Sequence, residues 1–114
     1  MENVIETKSF DFAIRIVNLY NYLKNEKNEY VLSKQLLRCG TSIGANVAEA
    51  EQAQSKADFV SKMNIALKES AETKYWLKLL NATGYITETE LSSILKDCIE
   101  VEKILCSIIK SSKS

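Results

Sequence analysis

The segment LRCGTSIGANVAEAEQAQS, residues 37–55, decides the architecture of this chain. Its apolar residues fall at helical spacing, yet Gly40 and Gly44 sit in the middle of the run. Each glycine costs a helix interior roughly 1 kcal/mol relative to alanine, so some other gain must offset it. On a wheel at about 100° per residue, Leu36, Gly40, Ile43 and Val47 share one face, with Gly44 and Ala50 at its edges. Arg38, Ser42 and Glu49 cluster opposite, with Asn46 a little further round. Gly40, Gly44 and Ala48 recur every fourth residue. Small residues at that spacing let another backbone come close, and close packing offsets the propensity cost. The competing reading is a helix that flexes or breaks between Gly40 and Gly44. The polar face likewise has two readings: a solvated surface, or a network turned toward another subunit or a ligand.

Working outward, four helical segments emerge, at about 9–26, 31–54, 56–83 and 88–111. The first carries two apolar stripes, one through Phe10, Ile14 and Val17, the other through Phe12, Ile16 and Leu23. One neighbour cannot cover both, so this helix is either central in a bundle or shared between subunits. The polar stretch KNEKNEY, residues 24–30, reads as a loop. Ser55 and Asp58 form a capping-box-like pair ahead of the third segment, and Gly84 suits its C-terminal end. Thr87 and Glu90 make a T-x-x-E capping box for the fourth, with Ile86 and Leu91 at the positions of a hydrophobic staple. Ile94, Cys98, Val101, Leu105 and Ile108 then step by fours and threes, as a bundle seam does. The terminal KSSKS reads as frayed. Short connections between four helices predict an all-α, antiparallel up-down four-helix bundle forming one domain over 1–114.

Composition narrows the functions. With no proline and three glycines in 114 residues, a β fold lacks its turn residues. Fifteen basic and fifteen acidic residues cancel, so total charge does not mark a dedicated nucleic-acid binder. No apolar run approaches the ~20 residues of a membrane span, and the acidic N-terminus lacks a signal-peptide core, which places the chain in the cytoplasm with no membrane partner. Cys39, Cys98 and Cys106 have no CxxC spacing and read as reduced, semi-buried apolar residues. Asn81 begins an N-x-T match that is coincidental in a cytoplasmic protein. The absence of histidine removes Ser-His-Asp and Cys-His catalysis and the common zinc and di-iron motifs. No cofactor motif is present.

In the third segment Asp58, Lys62, Ile65, Glu69, Glu72 and Trp76 recur at steps of four and three. A solvated face seldom carries tryptophan, and a core face seldom carries two glutamates. An aromatic anchor with a polar rim is the mixture found at interfaces, so an inter-subunit contact is favoured over a simple boundary position. Lys56, Lys62, Lys68, Lys74 and Lys78 outnumber three acids between Lys56 and Ile86 and are candidate phosphate contacts, or merely solubilising charges.

These residues also carry a family pattern. Arg38, Ser42-Ile43, Asn46-Val47-Ala48-Glu49, Ser55-Lys56-Ala57-Asp58-Phe59, Glu69, Glu72 and Gly84-Tyr85 resemble the four-helix-bundle proteins related to bacterial 23S rRNA intervening-sequence proteins. Gly44 stands where many members have proline, and Ala50 where many have glycine, so the chain is similar to an SIGAN…AEA branch. The resemblance implies an up-down bundle, a ring-like homopentamer and no known enzyme activity. It also suggests nucleic acid as a partner, since some members are encoded inside rRNA genes and related retroelement accessory proteins associate with nucleic acid. A protein scaffold or adaptor is the alternative, and salt-sensitive retention of nucleic acid separates the two. Glu49, Glu69 and Glu72 would serve as general bases only if buried and paired with a nucleophile; pairing with Arg38 or Lys62 in a structural network is the expectation.

Overall fold

The computed structural model describes residues 3–113. It contains α1 (Val4–Lys27), α2 (Leu32–Ala50), α3 (Lys56–Ala82) and α4 (Glu88–Ser112). The links, 28–31, 51–55 and 83–87, are short enough to make successive helices antiparallel neighbours. Each helix packs on the next, and α4 returns to α1 through a thinner seam. The extents of 44 × 23 × 21 Å match one long helix, about 40 Å, by two helix diameters. This is the up-down four-helix bundle that the sequence predicts. No helix among the described residues is long and apolar enough to cross a membrane.

Helix ends follow local chemistry. The apolar spacing predicts that α1 starts near Ser9, but it starts at Val4, where the Asn3 side chain accepts the Glu6 N–H at 3.2 Å. It also runs through Lys24–Lys27, part of the stretch predicted as loop. Polar residues there suit a solvent-facing last turn, and Lys24 and Lys27 favour the negative end of the helix dipole. Asn28 then turns left-handed at φ 53°, a conformation asparagine tolerates.

Val31 supplies no side-chain cap to α2. Glu29 does so from upstream: its carboxylate accepts the Ser33 N–H at 2.7 Å and the Val31 N–H at 3.2 Å. Ser33 Oγ donates back to the Glu29 carbonyl at 2.8 Å. Burial pushes the Glu29 carboxyl up, but these backbone donors outweigh it and hold the group below the usual value. α2 ends at Ala50, four residues short of the predicted Gln54. Ser55 already opens α3 by accepting the Asp58 N–H at 3.0 Å, so 51–55 must form the reversal.

Gly84, at φ 89°, ends α3: the Tyr85 N–H reaches the Leu80 carbonyl at 2.9 Å and the Gly84 N–H the Asn81 carbonyl at 3.1 Å. Asn81 Nδ2 donates to the Ile86 carbonyl at 3.1 Å, so this side chain closes the turn. The Thr87–Glu90 capping box forms in both directions at 3.1 and 2.8 Å. α4 remains helical through Ser112, further than a frayed KSSKS tail implies; Ser114 lies outside the described residues.

The core is contiguous, with Ile16, Leu23, Leu36, Ile43, Leu77 and Leu105 fully enclosed. In α3 the buried positions between Ala66 and Leu77 are Ser70 and Thr73, which the apolar pattern skips. Both hydroxyls are satisfied within the helix, Ser70 on the Leu67 carbonyl at 2.6 Å and Thr73 on the Glu69 carbonyl at 2.7 Å. In α4 the enclosed seam residue is Ile109; Ile108 packs at the margin. The second stripe of α1 stays outside: Phe10 is 66%, Ile14 47% and Val17 39% exposed.

Candidate interaction surfaces

The glycine helix packs on α1. A Cβ on Gly40 would lie 2.7 and 2.8 Å from the branched carbons of Ile16, and one on Gly44 3.3 Å from the Ser9 carbonyl oxygen. Both glycines therefore clear space inside the bundle, between α1 and α2, and the helix is unbroken across them. Ala48 is exposed. With Gly44, Ala45, Thr41, Phe10 and Ala13 it borders an apolar groove of about 340 Å³. That groove runs beside the exposed stripe of α1, so the two form one uncovered apolar strip.

The polar residues of α2 and α3 meet across the next seam. Arg38 bonds Glu72 and reaches Glu69 at 3.4 Å. Trp76 Nε1 donates to the same Glu72 oxygen at 2.9 Å, and Lys62 pairs with Glu49 at 3.2 Å. Asn46 is buried, unlike a residue of a solvated face, and Nδ2 donates to the Ser42 carbonyl at 2.8 Å with Ser42 Oγ at 3.5 Å. Asp58 serves the α3 N-terminus, and Ile65 remains 38% exposed. The stripe of α3 is thus a rim along α2, with Ile65 and Trp76 as its apolar part.

The α3 lysines do not act as one set. Lys62 is held by Glu49, and Lys74 by Glu102 at 2.8 Å. Lys68 and Lys78 are exposed, with no carboxylate in salt-bridge range among the described residues, and Lys56 is exposed at the start of the helix. Sequence reasoning missed the polar seam between α1 and α4. There Arg15 binds Asp97 at 2.7 Å, the Ser93 carbonyl at 3.2 Å and Ser93 Oγ at 3.0 Å, and Lys8 binds Glu100 at 2.7 Å. These contacts join residues about 80 to 90 positions apart, and no local pattern announces them. A cleft of about 430 Å³ opens on this seam, but its guanidinium is already spent on α4.

Among the described residues no three His, Cys, Asp or Glu side chains are placed to hold a metal ion. Burial pushes the Cys39 thiol up and the Cys98 thiol to about 12, so neither is a ready thiolate. Cys106 is exposed, contrary to the semi-buried position its spacing suggests. Glu49, Glu69 and Glu72 face cations, not a nucleophile.

The fold and these surfaces define an all-helical bundle whose conspicuous features are surfaces for contact. The chain belongs to the 23S rRNA-intervening sequence protein family, whose model matches residues 1–107. Among solved structures it is similar to a Bacteroides thetaiotaomicron protein of unknown function from the S23 ribosomal protein family, at 62% identity. The superposition has a TM-score of 0.94 and covers 95% of this chain and 96% of that one. No curated protein matches. Neither the family nor the solved relative is described as an enzyme.

Proposed function

We propose that this chain is a non-enzymatic, self-assembling helical bundle, a ring-like homopentamer, that binds RNA or DNA. The observation that carries the assembly is the strip formed by Phe10, Ile14 and Val17 with the α1/α2 groove. A contiguous apolar strip beside a fitted groove is the usual mark of an interface, and a second copy of the chain is its occupant here. The family's link to rRNA genes and the lysines of α3 support a nucleic-acid partner. Repetition of a basic patch around a ring would multiply phosphate contacts and make binding steeply salt-dependent.

Native mass spectrometry of gently purified protein tests both parts. The expected result is the mass of five chains carrying extra mass removable by nuclease and salt. Phe10→Asp with Ile14→Asp is expected to give a helical monomer; an unchanged oligomer would remove this strip from the interface. A second reading, a scaffold for another protein, is favoured by Trp76 and Ile65 beside the Arg38–Glu72 rim. A clean pentamer without nuclease-sensitive mass would put it ahead.

A further inference from the structure

The zero net charge conceals a segregation that α3 and α4 share. The acids of α3 point along α2: Glu69 and Glu72 to Arg38, with Asp58 on the same stripe. On α4, Asp97 and Glu100 turn toward α1, to Arg15 and Lys8. The lysines are left facing solvent. Lys68 and Lys78 on α3, and Lys96 and Lys103 on α4, are exposed with no carboxylate in salt-bridge range among the described residues. Two contacts bracket the register of the helices from either side: Lys74 Nζ lies 2.8 Å from a Glu102 oxygen, and Cys98 Sγ 3.7 Å from the Ser70 carbonyl. Midway between them, the antiparallel register brings Lys68 near the level of Lys103 and Lys78 near that of Lys96. At 1.5 Å per residue the two levels are about 15 Å apart along α3 and about 10 Å apart along α4. Glu102 is neutralised by Lys74 at the seam, and Glu88 lies at the far end of α4. Tyr75, 59% exposed, sits between Lys68 and Lys78 on α3, braced edge-on against Trp76 at 5.1 Å and 76°.

From this juxtaposition we propose that the outward edge shared by α3 and α4 binds single-stranded nucleic acid. Lys68, Lys78, Lys96 and Lys103 take phosphates, and Tyr75 stacks a base. The proposal rests on the nucleic-acid reading above and moves its contacts from α3 alone to an edge including two α4 residues. Lysines interleaved with an exposed aromatic ring suit unpaired bases, because every base offers a face for stacking. The shape of the edge favours the same partner. The lysines radiate from the convex backs of two helices, around which a flexible strand can bend, whereas a rigid duplex touches it along one line.

The test is fluorescence anisotropy on the full chain with a labelled 20-nucleotide single strand of RNA and the matching duplex, at several salt concentrations. Lys96→Glu with Lys103→Glu is expected to weaken single-strand binding about tenfold and to reduce the salt slope by about 1.4, the share of two contacts. Lys96→Gln with Lys103→Gln should do the same in a weaker form, and replaces the charge reversal if native mass spectrometry shows altered assembly. Tyr75→Ala should weaken the single strand about fivefold or more, as the loss of one stacked base predicts, and leave duplex binding unchanged. If wild type binds but the α4 pair changes neither affinity nor slope, the inference falls while the nucleic-acid reading stands. Duplex binding as tight as single-strand binding also overturns it. If wild type binds neither probe, the nucleic-acid reading itself falls.

Discussion

At the scale of single residues, fit decides more than propensity. Alanine at position 40 would gain helix propensity worth about 1 kcal/mol. Its methyl, however, would meet three Ile16 carbons within 3.0 Å, and Ile16 is fully buried and branched at Cβ. Overpacking of that kind costs about 1–3 kcal/mol. Gly40→Ala is therefore expected to lower the urea midpoint, and to lower it less when made in an Ile16→Ala background. A stabilised Gly40→Ala would contradict this packing. Glu29 gives a prediction with a pH signature. Its folded pKa is held below the unfolded value, so its contribution is present above that value and fades as pH falls through the folded one. Glu29→Gln should cost about 1–2 kcal/mol at pH 7. The gap to wild type in thermal or urea melts should close below about pH 4, and a constant gap would assign the loss to packing instead.

At the scale of helices, caps and seams set limits that apolar spacing only approximates. Thr87→Ala removes one half of the α4 capping box and should cost about 1 kcal/mol, read as a lower melting temperature with α4 amides exchanging faster at its first turn. On the α2/α3 seam Glu72 accepts from both Arg38 and Trp76, whereas Glu69 makes one long contact. Glu72→Ala should accordingly destabilise the bundle or its assembly more than Glu69→Ala, which stays under about 1 kcal/mol as a partly exposed pair does. Equal losses would mean that the Trp76 contact adds nothing.

At the scale of the whole molecule, the bundle leaves one apolar stripe of α1 uncovered. α1 buries Phe12, Ile16 and Leu23 and presents Phe10, Ile14 and Val17 outward. Assembly through that strip should make thermal stability rise with protein concentration. A melting temperature independent of concentration over two decades would argue for a monomer.

The sequence by itself determined the helices, their order and three of their caps, because capping and amphipathic spacing act within a few residues. Ser55, Gly84 and the Thr87–Glu90 box were all legible. The two apolar stripes on α1 were legible as well, and the structure leaves Phe10, Ile14 and Val17 of one of them exposed. Asn3 followed three residues later by Glu6 was a legible cap that apolar spacing alone passes over. Only the tertiary structure decided where Gly40 and Gly44 make their close approach, which lysines are already neutralised, and that Ser70 and Thr73 are core. It alone joined Arg15 to Asp97 and Lys74 to Glu102. These facts depend on which helix faces which and in what register, and register comes from the packing of side chains far apart in the chain.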